Sequence, residues 1–408
     1  MRKYDKQLLE QIRAKEHVEM IGGVPVLMKP VPDDERKHVL DPRLLEVIRM
    51  KQKMFAQRSQ NGYRLSQERY RPDKVTEDLC EVQIEVEEQL IDIQHDHKID
   101  VYLYRRQDDQ GPLPVLIYFH GGGMTAGDMR LFANQMRLIA ELAHAAVVFP
   151  EYRLAPECPY PASIEDAWGT VQWVVEHAEL LNVDLERLMV AGDSAGGALT
   201  NACLLKDETG VIKKAFEIYP AVDSTDYHKQ LRYTWSYDAY PIVEDQRKEA
   251  YSRIDRIKNS IGVSEAESLY LQGKTCYENP LVSVIYAPAE RLAKFPPLVI
   301  VSAEYDYLRV GSDYFVSVLQ GVGVNVKSVR YCGCDHGFLD MLGTIVQSED
   351  LCHLIAGDGQ VIFSQGRASR PFFHHFLLRI KCSPFKLSIM QRKAGVCDNG
   401  SRAARQNF

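Results

Sequence analysis

Gly192-Asp193-Ser194-Ala195-Gly196 sits where a strand should stop and a helix should start, and it constrains this chain more than any other stretch. The run before it, Arg187-Leu188-Met189-Val190-Ala191, is short and largely apolar. The run after it, from Gly197 to Leu205, is small and apolar enough for a buried helix. A serine on so sharp a strand-to-helix turn needs small residues two positions to either side, because side chains there would meet crowded backbone. The turn pushes the hydroxyl outward at the rim of a sheet and leaves the N–H of Ala195 facing a point beside it. A serine between glycines also occurs in ordinary loops and phosphate-binding turns, so the rest of the chain has to decide.

The surrounding pattern predicts a mostly parallel sheet. Val115-Leu116-Ile117-Tyr118-Phe119 and Ala145-Ala146-Val147-Val148-Phe149 are continuous apolar runs, as are Leu188-Met189-Val190 and Leu298-Val299-Ile300-Val301. Such runs mark strands buried on both faces. A more polar run covers 324–331. Helical stretches over 132–143, 163–181, 195–205 and 311–319 alternate with the strands, which implies a central sheet covered by helices on both faces. Alternating patterns at 82–86 and 99–104 predict antiparallel strands ahead of it.

Three regions depart from that alternation. Residues 1–75 are charged and show helical spacing at Leu44, Leu45, Val47, Ile48 and Met54, so they are read as a helical region, and no catalytic motif appears there. The α/β core domain is expected over 76–356. An insertion at about 223–287 is polar and aromatic, with a helix expected over 244–261; it is read as packing over the sheet edge as a lid or cap. From 357 to 408 the chain carries nine lysines and arginines against two aspartates, with an apolar group at Phe372, Phe373, Phe376, Leu377, Leu378 and Ile380. Because the basic and apolar residues do not separate into faces, this tail is expected to be weakly ordered.

The formal charge of −7 argues against a general nucleic-acid binder. No run approaches the roughly 20 apolar residues of a membrane span, and no apolar leader follows Met1, so a cytoplasmic location without stable membrane insertion is expected. The nine cysteines form no CxxC pairs with partner histidines. No metal or cofactor is therefore expected, and reduced thiols are read throughout, including Cys332 and Cys334.

A serine that attacks an acyl group needs a base, a group that orients the base, and donors for the oxyanion. His336, in Asp335-His336-Gly337-Phe338, follows the last core strand and is the base candidate. Asp306 lies at the carboxyl end of the 298–303 strand and is the orienter candidate, with Glu304 on the same loop as its rival. The order Ser194, Asp306, His336 is that of α/β-hydrolases. His120-Gly121-Gly122-Gly123 follows the strand ending at Phe119. Its bare backbone can converge N–H groups on one point, although a flexible loop or phosphate cradle has the same composition. No Lys-Ser/Thr follows it, which weakens the phosphate reading, and His120 is read as bracing the loop.

Taken together with Tyr152-Arg153-Leu154-Ala155-Pro156-Glu157 and Tyr160-Pro161-Ala162, these motifs resemble the hormone-sensitive-lipase-like family of α/β-hydrolases, in its bacterial esterase branch, over about residues 80–356. The resemblance implies a serine carboxylesterase with Ser194 as nucleophile, Asp306 as acid and His336 as base. It implies oxyanion donors from Gly122, Gly123 and Ala195, and a helical cap built from the N-terminal region and the insertion. The expected substrate is a small-molecule ester of short- to medium-chain acyl groups. An amidase, formamidase or lactonase using the same residues stays open, as do a non-catalytic ligand receptor and a homodimer. The family often carries a second acidic residue after Asp-x-Leu-Arg, where this chain has Val310-Gly311, so the bracing of that loop is left to be found. The basic tail lies outside the family pattern.

Overall fold

The structure is a computed structural model and describes residues 1–55, 65–70, 76–230, 232–261 and 263–364. The basic residues of the tail, with Phe372, Phe373, Phe376, Leu377, Leu378 and Ile380, lie outside them. Helix α1 (Gln7–Lys15) leads into a hairpin of β1 (His17–Ile21) and β2 (Val24–Lys29), then α2 (Pro42–Phe55) and α3 (Leu65–Arg69). Two long antiparallel strands follow, β3 (Ile84–Ile93) and β4 (His97–Arg106). The alternating part then runs β5 (Leu113–Phe119), α4 (Met129–Ala143), β6 (Ala146–Pro150), α5 (Ala162–Glu176), α6 (Ala178–Leu181), β7 (Val183–Asp193), α7 (Ala195–Lys206) and β8 (Lys214–Ile218). The insertion between β8 and β9 carries α8 (Arg247–Lys258) and α9 (Ala289–Leu292). The chain then continues with β9 (Leu298–Tyr305), α10 (Arg309–Gly321), β10 (Val326–Asp335) and α11 (Val346–Ser364).

All ten strands form one sheet in the order β1-β2-β10-β9-β8-β7-β5-β6-β4-β3. From β2 to β6 every neighbour pair is parallel. The apolar runs become its centre because their side chains alternate between two cores. Val115, Ile117 and Phe119 of β5 belong to the core on one face, which also holds Val171 of α5, Leu199 of α7 and Phe315 of α10. Leu116 and Tyr118 face the other side, against Met136 and Ile139 of α4 and Leu351 and Ile355 of α11. No helix among the described residues is long and apolar enough to cross a membrane.

The N-terminal region differs from its helical expectation. Residues 17–29 extend the sheet: β2 lies parallel to β10, with Val26 opposite Ser328. Gly22 and Gly23 turn the hairpin with φ of +59° and +87°, and Pro25 is tolerated close to a sheet edge, where fewer N–H donors are required. The last helix also runs past the expected boundary at 357, to Ser364. The insertion helix is shorter than expected, because 244–246 form a 3-10 turn ahead of α8.

Strand β8 was not visible as an apolar run because Glu217 interrupts it. That carboxyl is fully buried and accepts one hydrogen bond, from Asn201 Nδ2 at 3.1 Å. Burial pushes it up to about 8, so the folded protein holds it neutral at neutral pH. The unfolded chain ionises it near 4.5, so its contribution to stability is full below that value and is lost as pH rises towards 8. Glu217→Gln keeps the acceptor and removes the titration. It should stabilise the protein by on the order of 1–3 kcal/mol more at pH 8 than at pH 4.5. Urea unfolding at the two pH values reads this directly, and an equal difference at both would contradict it.

Candidate active site

Ser194 lies between β7 and α7 with φ 54° and ψ −115°, a conformation that costs an L residue roughly 1–3 kcal/mol. The surroundings enforce it. The Ser194 N–H donates to the carbonyl of Ile218 at 2.9 Å, and its carbonyl accepts from Gly197 and Ala221, both at 3.0 Å. A Cβ at Gly192 would stand 2.2 Å from the carbonyl oxygen of Gly196, and one at Gly196 would stand 1.9 Å from that of Phe119. Both glycines are therefore demanded by close backbone approach, as the pentapeptide implied.

Ser194 Oγ is 2.9 Å from His336 Nε2, and His336 Nδ1 is 2.7 Å from Asp306 Oδ2. Asp306 is 1% exposed, and its other oxygen accepts the N–H of Leu308 at 3.0 Å, which sets the carboxylate plane. With Nδ1–H donating to the carboxylate, Nε2 is left as the acceptor for the serine hydroxyl. The ring of Tyr219 packs against the imidazole at 4.8 Å. Glu304, the rival, is turned towards β10: its Oε2 accepts the N–H of Gly333 at 2.8 Å, and its Oε1 is 3.3 Å from His38 Nδ1. That contact raises the His38 imidazole above its ordinary value. The structure thus brings Ser194, His336 and Asp306 together and leaves Glu304 out.

The glycine loop is tied to the same turn. Asp193 Oδ1 accepts the N–H of Gly121 at 2.7 Å and the hydroxyl of Tyr118 at 3.0 Å. Gly122 has φ +134°, and a Cβ there would lie 1.9 Å from the carbonyl oxygen of Ala126. Among the described residues, the N–H groups of Gly122, Gly123 and Ala195 have no protein acceptor. The Ala195 N–H opens α7 and carries the positive end of its dipole. His120 is fully buried; its Nδ1 is 2.8 Å from the carbonyl of Gly121, and its ring stacks on Tyr152 at 4.3 Å. Tyr152 also donates to the His120 carbonyl at 2.7 Å. Burial lowers His120 to about 4, so at neutral pH it is an uncharged brace. Asp193 was the residue that sequence reasoning passed over, although its place beside the serine was the available signal.

The loop carrying Asp306 is braced by the aromatic insertion in place of a second acid. The Tyr240 hydroxyl lies 3.0 and 3.2 Å from the carbonyls of Asp306 and Tyr307. Trp235 Nε1 donates to that hydroxyl at 3.0 Å. Arg309, buried, donates to the carbonyls of Glu304 and Ala239 and lies over the Tyr240 ring at 4.5 Å. Helix α8 buries Ala250 and Ile254 in the core and meets α2 through Arg49–Glu249 at 2.8 Å and Gln52–Ser252 at 3.2 Å. Cys332 and Cys334 are free, and burial pushes both thiols up.

An alpha/beta hydrolase fold family matches this chain over residues 116–340. Esterase LipI of Mycobacterium tuberculosis is 34% identical over 240 residues, covering 58% of this chain and 69% of that protein. Carboxylesterase NlhH of the same species is 30% identical over 285 residues, covering 69% of this chain and 83% of the relative. A solved hyperthermophilic esterase from the archaeon Pyrobaculum calidifontis superposes with a TM-score of 0.62 at 26% identity, over 80% of this chain and 99% of the other. With its parallel sheet, its serine turn and these relatives, the chain belongs to the α/β-hydrolase fold family, in the hormone-sensitive-lipase-like group.

Proposed function

We propose that this chain is a carboxylesterase that cleaves short- to medium-chain acyl esters through an acyl-enzyme on Ser194. The observation that carries the reading is the continuous hydrogen-bonded line Asp306–His336–Ser194, at 2.7 and 2.9 Å, beside the amides of Gly122, Gly123 and Ala195, which have no protein acceptor among the described residues. In this reading His336 Nε2 takes the proton of Ser194 as Oγ attacks the ester carbonyl. Asp306 stabilises the imidazolium that forms and does not itself take the proton. The N–H groups of Gly122, Gly123 and Ala195 receive the oxyanion, each such donor contributing roughly 2.7–4 kcal/mol to the transition state. His336 then protonates the leaving alcohol, and water activated at the same nitrogen frees the acid. Helices α2 and α8, in contact, would form the cap, and the aromatic insertion would bound the acyl site.

A panel of p-nitrophenyl acetate, butyrate, hexanoate and palmitate, with an anilide and a lactone, tests the reading. The butyrate or hexanoate ester should exceed the palmitate and the anilide by about tenfold or more in kcat/KM, a margin of about 1.4 kcal/mol. A preference for the anilide or the lactone would move the assignment to amide or lactone hydrolysis. An absence of turnover together with no covalent adduct from a fluorophosphonate would favour a receptor.

A further inference from the structure

We propose that Arg253 and Arg256 of α8 are positioning residues for the imidazole of His336, so that the seating of the insertion helix controls the base. The inference rests on the catalytic reading of Ser194, His336 and Asp306 given above.

Two contacts reach from one helix to one short loop. Arg253 donates from Nε to Oδ2 of Asp335, the residue before the histidine. Arg256 donates from Nη2 to the carbonyl of His336 itself at 2.9 Å. Arg253 and Arg256 stand three residues apart on one face of α8, and the fully buried Ile254 seats the helix in the core. Asp335 is 1% exposed, and its Oδ1 has no hydrogen-bond partner among the described residues. Its pairing with Arg253 is therefore the main compensation for a carboxylate taken out of water next to the imidazole.

The groups in contact with the imidazole are the Asp306 carboxylate after β9, the Ser194 hydroxyl at the head of α7 and the Tyr219 ring after β8. Asp335, the residue before the histidine at the end of β10, is the adjacent charged group in the chain, and it is paired with Arg253 of α8. The Asp306 carboxylate is used in orienting the ring. Asp335, next to His336 in the chain, is a second negative charge, and among the described residues the Arg253 guanidinium is paired with it. Without that guanidinium an imidazolium at 336 gains an uncompensated anion nearby. Helix α8 is held in turn by Arg49 of α2 through Glu249, and by Lys258 above the rings of Tyr237 at 4.5 Å and Trp235 at 5.2 Å. Movement of α8 therefore changes both the place and the charge environment of the base.

The test uses the full chain with Arg253→Gln, Arg253→Lys, Asp335→Asn, the Arg253→Gln/Asp335→Asn double variant and Arg256→Gln. Each is assayed as kcat and KM on p-nitrophenyl butyrate from acid to alkaline pH. Arg253→Gln should lower kcat by about tenfold with KM little changed, and should move the acidic limb of kcat/KM upward by roughly half a pH unit. Arg253→Lys keeps the charge and should keep the limb in place. The double variant removes the anion as well and should bring the limb back. Arg256→Gln should lower kcat several-fold at unchanged KM. An unmoved limb in Arg253→Gln, or one that the double variant fails to restore, overturns the proposal. Should Arg253→Gln not fold, the limb of Asp335→Asn against the double variant decides: the guanidinium left unpaired in Asp335→Asn should hold its limb below that of the double variant, and identical limbs overturn the proposal. Ser194→Ala assayed alongside separates the two readings. Full activity in that variant removes the catalytic assignment, whereas an inactive Ser194→Ala with an unmoved limb removes only the role of α8.

Discussion

Ser194→Ala should lower kcat for p-nitrophenyl butyrate by roughly 10⁴- to 10⁶-fold and abolish labelling by a fluorophosphonate. The loss is this large because the nucleophile and its base act as a unit: without Oγ, the imidazole at 2.9 Å has no nucleophile to activate. A small residual rate should persist, since the amides of Gly122, Gly123 and Ala195 can still polarise a bound ester towards water. The fold should survive. The strained backbone at 194 is held by hydrogen bonds to Ile218, Gly197 and Ala221 that use main-chain atoms, so alanine inherits the same geometry. Thermal unfolding within a few degrees of the parent, with activity gone, is the expected pair of results. Turnover within tenfold of the parent would place the chemistry elsewhere.

Asp306→Asn carries the second largest effect, a fall in kcat of about 10³- to 10⁴-fold. An amide in that place can present its NH₂ to Nδ1, which drives the ring proton to Nε2. The imidazole then offers a donor, where an acceptor is needed, to the serine hydroxyl. Glu304→Gln is the control, because Glu304 is engaged with Gly333 and His38 and does not reach His336. It should change kcat by no more than a few-fold. If Glu304→Gln proved the more damaging of the two, the orienting role would pass to Glu304, and the observed 2.7 Å contact would not be the functional one.

The contrast between these two carboxylates shows where sequence reading stops. They stand two residues apart, Glu304 within the last residues of β9 and Asp306 just past its end. Their roles separate because β10 is irregular between Tyr331 and Asp335, with Gly333 at φ +70°. That irregularity turns one N–H towards Glu304 and leaves Asp306 free for the imidazole. A bulge in a neighbouring strand leaves little mark on the loop whose side chains it sorts. The bracing of Asp306 by Tyr240 and Arg309 was hidden for the same reason: Tyr240 is 66 residues from the carbonyl it contacts. The hairpin of β1 and β2 reads as an indifferent pair of short runs until β10, some 300 residues later, supplies a partner edge.

The residues by themselves determined the parallel sheet, the serine turn and the bare glycine loop. Each of these follows from local rules: continuous apolar runs, glycines where a Cβ has no room, and a strand passing directly into a helix. The tertiary structure alone decided which acid faces His336, that a hairpin lengthens the sheet, and that α8 reaches the histidine loop. Those outcomes depend on contacts between segments distant in the chain, and burial and hydrogen bonding select them only once the sheet has brought the segments together.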